Sequence, residues 1–252
     1  MKRRLLGLSL LGIVAWLIFI LAMLPARFVL AQFGGLLPPD IRLHGVQGTL
    51  WNGTAQTLAW RGVSAGPLHW DVQAVALLTG HLQADINAKL PQGFANFTVR
   101  AAPGGNLELS NVQLAMPLTT AARLAGQSAE VLQGDLTLQL ETLRIENMQP
   151  VAASGTGILG NLRSSLLGDT ALGSYQGEIR TTDAGIALTA TDQSGPLHLQ
   201  AQANLDPQGK WQATGTIGVR DTGNTRLAGM LRYLGPADAS GMHRFRFSGQ
   251  LP

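Results

Sequence analysis

From Leu82 to Leu90 every even position is apolar (Leu82, Ala84, Ile86, Ala88, Leu90) and every odd one polar (Gln83, Asp85, Asn87, Lys89). A period of two fits a strand with one dry and one wet face, and it does not fit a helix, whose period is 3.6. The alternation returns in Leu136, Leu138 and Leu140, in Leu197, Leu199, Ala201, Ala203 and Leu205, and in Trp211 to Val219 and Phe245 to Leu251. After Leu140 the apolar phase slips to Leu143 and Ile145, as a bulge or turn would cause. Between these segments stand Pro91-Gln92-Gly93, Pro103-Gly104-Gly105, Asp183-Ala184-Gly185 and Asp206-Pro207-Gln208-Gly209, the last a strong hairpin signal. One-sided alternation throughout predicts a long antiparallel sheet, because strands buried on both faces read as continuous apolar runs. The triplet glycine, any residue, leucine or isoleucine recurs at Gly48, Gly80, Gly134, Gly177, Gly215 and Gly249.

Two short helices interrupt the pattern. Thr119 to Leu124 has Thr119 or Thr120 to cap it and Gly126 to stop it. Thr225 to Leu234 has Asn224 or Thr225 as cap, Gly235-Pro236 as stop, and Leu227, Leu231 and Leu234 on one side. Absent cysteines exclude a disulfide framework and thiol chemistry, so the fold rests on burial and backbone pairing.

Leu5 to Leu24 is an apolar run broken only by Gly7, Ser9 and Gly12, and at about 1.5 Å per residue it matches the roughly 30 Å of a bilayer core. Lys2, Arg3 and Arg4 precede it and Arg27 follows, so the positive-inside rule places Met1 in the cytoplasm and the remainder outside. Ala31 offers a signal-peptidase site, but a signal core runs only about 7–15 residues, which favours an uncleaved anchor. Residues 1–31 are therefore read as tip and anchor, 32–40 as linker and 41–252 as one periplasmic β domain. The net charge of +3 arises in the first segment; beyond residue 31, 14 basic side chains face 15 acidic ones. Such a domain has no basic stripe for nucleic acid.

No catalytic constellation emerges. Gly62-Val63-Ser64-Ala65-Gly66 has the form of a nucleophile elbow, but Pro67 and a strand-like Leu68 to Val72 replace the required helix, leaving Asp183 or Asp192 and His198 or His243 as only formal triad partners. Gly155 to Gly160 matches a dinucleotide fingerprint without its βαβ setting. His44, His69, His81, His198 and His243 lack metal-ligand spacing. No metal or cofactor is expected. Trp51, Trp60 and Trp70 read as packing anchors at the membrane-proximal end.

The stretch Gly45 to Gly53, containing Gly48 and Trp51, resembles the opening motif of the type II secretion system protein N family. The block from Trp70 to Gly80, the strand Leu82 to Leu90, Leu172-Gly173-Ser174-Tyr175, and the terminal stretch with Gly235, Asp238, Gly241 and Gly249 are similar to further family blocks. The resemblance implies a bitopic inner-membrane accessory of the machine that exports folded proteins from the periplasm, with no enzymatic role. It also implies kinship with periplasmic β-groove proteins that carry lipid. Two readings follow: an assembly component that docks through sheet edges onto other secretion components, or a carrier whose apolar face, lined by the Leu82–Leu90 set and by Leu197, Leu199, Ala201 and Ala203, holds acyl chains.

Overall fold

The computed structural model describes residues 16, 19–33, 35, 40–127, 131–221 and 223–250. Lys2, Arg3, Arg4, Leu5 and most of the apolar run lie outside the described residues, as does most of the expected linker; among those described, no helix is long and apolar enough to cross a membrane.

The alternating segments become strands of one antiparallel meander. In chain order these are β2 (Gln47–Gly48), β3 (Asn52–Ala55), β6 (Leu68–Val72), β7 (Leu82–Leu90), β8 (Gly93–Ala102), β9 (Asn106–Pro117), β10 (Leu132–Glu146), β11 (Gln149–Ser164), β12 (Thr170–Thr182), β13 (Gly185–Ser194), β14 (Leu197–Leu205), β15 (Lys210–Val219) and β16 (His243–Gln250). They form a 13-stranded sheet ordered β16 through β6 without a crossover, then β3 and β2. A smaller sheet joins β1 (Ile41–His44), β4 (Thr57–Trp60) and β5 (Val63–Ala65). The expected slip after Leu140 is a register shift between Leu140 and Thr142. At the expected hairpin, the Asp206 carboxylate accepts from the Gln208 and Lys210 amides at 3.0 and 2.8 Å.

Consecutive antiparallel strands put all odd connections at one end and all even ones at the other. The upper end carries Pro91-Gln92, helix α2 (Leu118–Leu124) and helix α3 (Thr225–Leu231); the lower end carries the hairpins at Asp183 and Asp206 and the entry of the chain through α1 (Ala26–Phe33). Helix α1 and a 3-10 turn at Ala74–Thr79 were not legible as helix. The latter ends on Gly80 at φ 77°, a left-handed cap that only glycine adopts cheaply. Helix α2 starts one residue earlier than expected, after Pro117, whose fixed φ of −58° turns the chain out of β9 without any threonine cap. Asn224 caps α3 as expected, accepting from the Leu227 amide at 3.2 Å.

Two hydrophobic clusters close the upper end. Val63, Ala65, Leu90 and Met116 pack with Ala121 and Leu124 of α2, while Leu172 and Leu197 pack with Leu227 and Leu231 of α3. Leu227 is the most deeply buried large side chain described, 1% exposed.

Candidate functional site

Below the α3 cluster, the dry face of the meander has no second layer among the described residues. A cleft of about 500 Å³ runs across six consecutive strands, β10 to β15, lined by Leu136, Leu138, Leu159, Ile179, Leu188 and Leu199 among others. The cleft is open to one side and its lining is almost wholly aliphatic. Leu197 and Leu199 line it as expected. The β7 set does not: Ala84, Ala88 and Leu90 are buried elsewhere and Leu82 is 47% exposed, because β7 lies three strands outside the cleft.

The upper rim of the groove holds a polar knot. Asp192 stands opposite Tyr175 in register, with its side chain 2% exposed. Its carboxylate accepts from the Leu199 amide at 2.7 Å and from Arg220, and lies 2.8 Å from His198 Nδ1. Burial opposes the charged form, but the Leu199 amide, Arg220 and His198 outweigh it and hold the carboxyl below its ordinary value. Burial first, and the Asp192 charge second, push the Tyr175 phenol up to about 12; its hydroxyl donates to the Leu172 carbonyl at 2.7 Å. The signal for this knot was readable: Asp192 continues the apolar phase of Leu188 and Ala190, a charge in an inward position.

The sheet ends on β16, an eight-residue edge on which Arg244, Arg246 and Phe247 are exposed. The C-terminal motif aims this strand. Asp238 accepts from the Ser240 hydroxyl at 2.6 Å, the Met242 amide at 3.1 Å and the Ser240 amide at 2.9 Å, bonds that hold its carboxyl below the ordinary range. Gly241 donates to the Asp238 carbonyl, and the Gly235 carbonyl lies 2.7 Å from Nδ1 of buried His243, the first residue of β16. Gly249 is the pairing partner of Trp211, whose ring fills the space a Cβ would take.

The N-terminal motif ties the sheet to the apolar run. Gly45 and Gly48 turn the chain between β1 and β3, and Gly53 lies beneath the Trp70 ring, whose indole N–H donates to the Leu50 carbonyl at 3.1 Å. Trp51 donates to the Leu21 carbonyl at 2.7 Å, and the Leu50 amide to that of Leu24 at 2.9 Å. Trp51 and Trp70 are half-buried at the lower end. Trp60 is not there: it lies in β4 at 38% exposure beneath Arg61, whose guanidinium reaches the Leu124 carbonyl of α2. Gly80 caps the turn between β6 and β7.

Ser64 lies in β5 with no helix after it, and its cleft is lined by Leu90, Pro117 and Arg123 rather than by a histidine or aspartate. Gly155 to Gly160 lies inside β11. Among the described residues no three histidine or acidic side chains converge as a metal site.

Among the described residues the chain is a long antiparallel meander with an apolar cleft on one face, an edge strand at β16 and a hydrogen-bonded junction to the apolar N-terminal run. A family model described as type II secretion system (T2SS), protein N, matches residues 39–246, and the chain belongs to that family. Its relatives named type II secretion system protein N include those of Vibrio cholerae, 25% identical across 99% of this chain and 100% of that protein, and Klebsiella pneumoniae, 29% identical across 99% and 97%. The Pectobacterium carotovorum relative is 23% identical across 95% of this chain and 94% of its own length. No solved structure matches the chain. Membership makes the protein a secretion-system component that works with other parts of that system.

Proposed function

We propose that the chain is a single-pass, N-in inner-membrane protein whose periplasmic sheet serves the type II secretion system as a non-enzymatic docking element. The free β16 edge carries this reading. An edge strand presents unpaired N–H and C=O groups, and adding a partner strand satisfies them without rearranging the sheet. Exposed Arg244 and Arg246 favour an acidic partner segment, and membrane tethering lets weak pairing suffice. Replacing Arg244 and Arg246 together by glutamate reverses the exposed charge of this edge without touching the buried clusters. Secretion of a type II substrate should fall while the folded level of the protein holds; unaltered secretion would count against the edge.

A second reading, lipid carriage, is favoured by the 500 Å³ apolar groove, whose aliphatic lining suits acyl chains. It predicts lipid in mass spectra of the full chain purified in gentle detergent, lost in Leu188→Asp. Lipid at the level of a control membrane protein would leave the groove to protein contacts.

A further inference from the structure

We propose that the 3-10 turn Ala74–Thr79 is a second, shallow contact with the bilayer, so that the lower end of the sheet lies on the membrane surface rather than hanging from a flexible tether. This rests on the anchoring reading above.

From Val72 to Gly80 there is no charged residue. Val75 is 76% exposed and Leu77 43%, and Leu82, just past the turn, is 47% exposed. A run of apolar side chains held outward on a rigid turn is costly in water and is the usual mark of an interaction surface. The turn is rigid: Gly80 donates to the Leu77 carbonyl, His81 to that of Ala76, and the Thr79 hydroxyl to Ala76 at 2.7 Å. Its backbone groups are thereby largely satisfied internally, as an apolar interface requires.

What covers it follows from its neighbours. The Val72 amide donates to the Trp51 carbonyl, and the Trp51 indole donates to Leu21 at the end of the apolar run. The Pro25 to Thr49 bridge and the Leu50 to Leu24 bond fix the same junction. The exposed turn thus begins two residues past Val72, which Trp51 links to the end of the apolar run. Phe28 of α1, the helix that follows the apolar run, is likewise 56% exposed. A lipid surface is continuous with this patch by construction.

The chain has no cysteine, so one introduced thiol reports one site. Val75→Cys, Tyr233→Cys (94% exposed, upper end) and Leu10→Cys, each in the full chain, are labelled with an environment-sensitive fluorophore. They are reconstituted in phosphatidylethanolamine and phosphatidylglycerol vesicles containing lipids with a nitroxide near the headgroup. The expected result is a blue shift and quenching at 75 and at 10, with neither at 233. A label at 75 that matches 233 while 10 is quenched overturns the contact and leaves the anchor standing. An unquenched label at 10 overturns both.

Discussion

The Trp51 indole N–H donates to the Leu21 carbonyl at 2.7 Å, a bond spanning 30 positions of sequence that locks the first family motif to the end of the apolar run. The Leu50 amide, which donates to the Leu24 carbonyl at 2.9 Å, ties the sheet to the same stretch a second time. Trp51→Phe keeps a ring there and removes the donor, a loss of about 1 kcal/mol. Faster hydrogen exchange at the Leu50 amide, which bonds Leu24, is the expected readout, with little change in Tm. Because Trp51 is half-buried, Trp51→Ala should cost less than the roughly 3–5 kcal/mol of a fully buried aromatic.

Gly53 and Gly249 face Trp70 and Trp211 across the sheet, and a Cβ would sit 2.2 and 2.8 Å from the ring atoms. Gly53→Ala is expected to destabilise by about 1–3 kcal/mol, the cost of overpacking. Gly249→Ala should cost less, since its strand is an edge that can yield. Equal urea midpoints for Gly53→Ala and the parent chain would show that the ring moves freely.

Leu227 joins α3 to Leu172 and Leu197 at 1% exposure. Leu227→Ala should cost about 2–5 kcal/mol, whereas exposed Met230→Ala on the same helix should change Tm little. Thermal unfolding of the two variants checks that α3 closes the upper end of the groove.

The Asp192 knot sets two pH windows. Tyr175 is raised from 10.0 to about 12, so its folded form holds the proton longer; that stability is present below pH 10 and lost as pH climbs to 12. Asp192 is lowered from 3.8, so its contribution is present above that value and lost as pH falls through the depressed one. The urea midpoint should decline at both pH extremes, with the alkaline decline flattened in Tyr175→Phe and the acid one in Asp192→Asn.

The strands were legible because alternation is a local record of one-sided burial: β7 and β14 begin and end at the expected residues, and the Leu140 slip is a real bulge. The groove lining was only partly legible, since period two assigns a residue to a face but not to a position along the sheet. Leu199 and Leu82 share a pattern, yet only Leu199 lines the cleft. The turn at Ala74–Thr79 was hidden because six apolar and small residues carry neither period. The roles of Asp238 and Trp51 are hydrogen bonds to backbone, to Met242 and Leu21, which residue type alone does not reveal.

In the proposed docking role the free edge, and not the groove, meets the secretion machinery. A photo-crosslinking residue at Phe247, on β16, and another at Leu188, in the groove, test it in secreting cells. An adduct between position 247 and another type II secretion component is the expected result. No protein adduct at 247, with lipid adducts at 188, would contradict it and make the chain a lipid carrier.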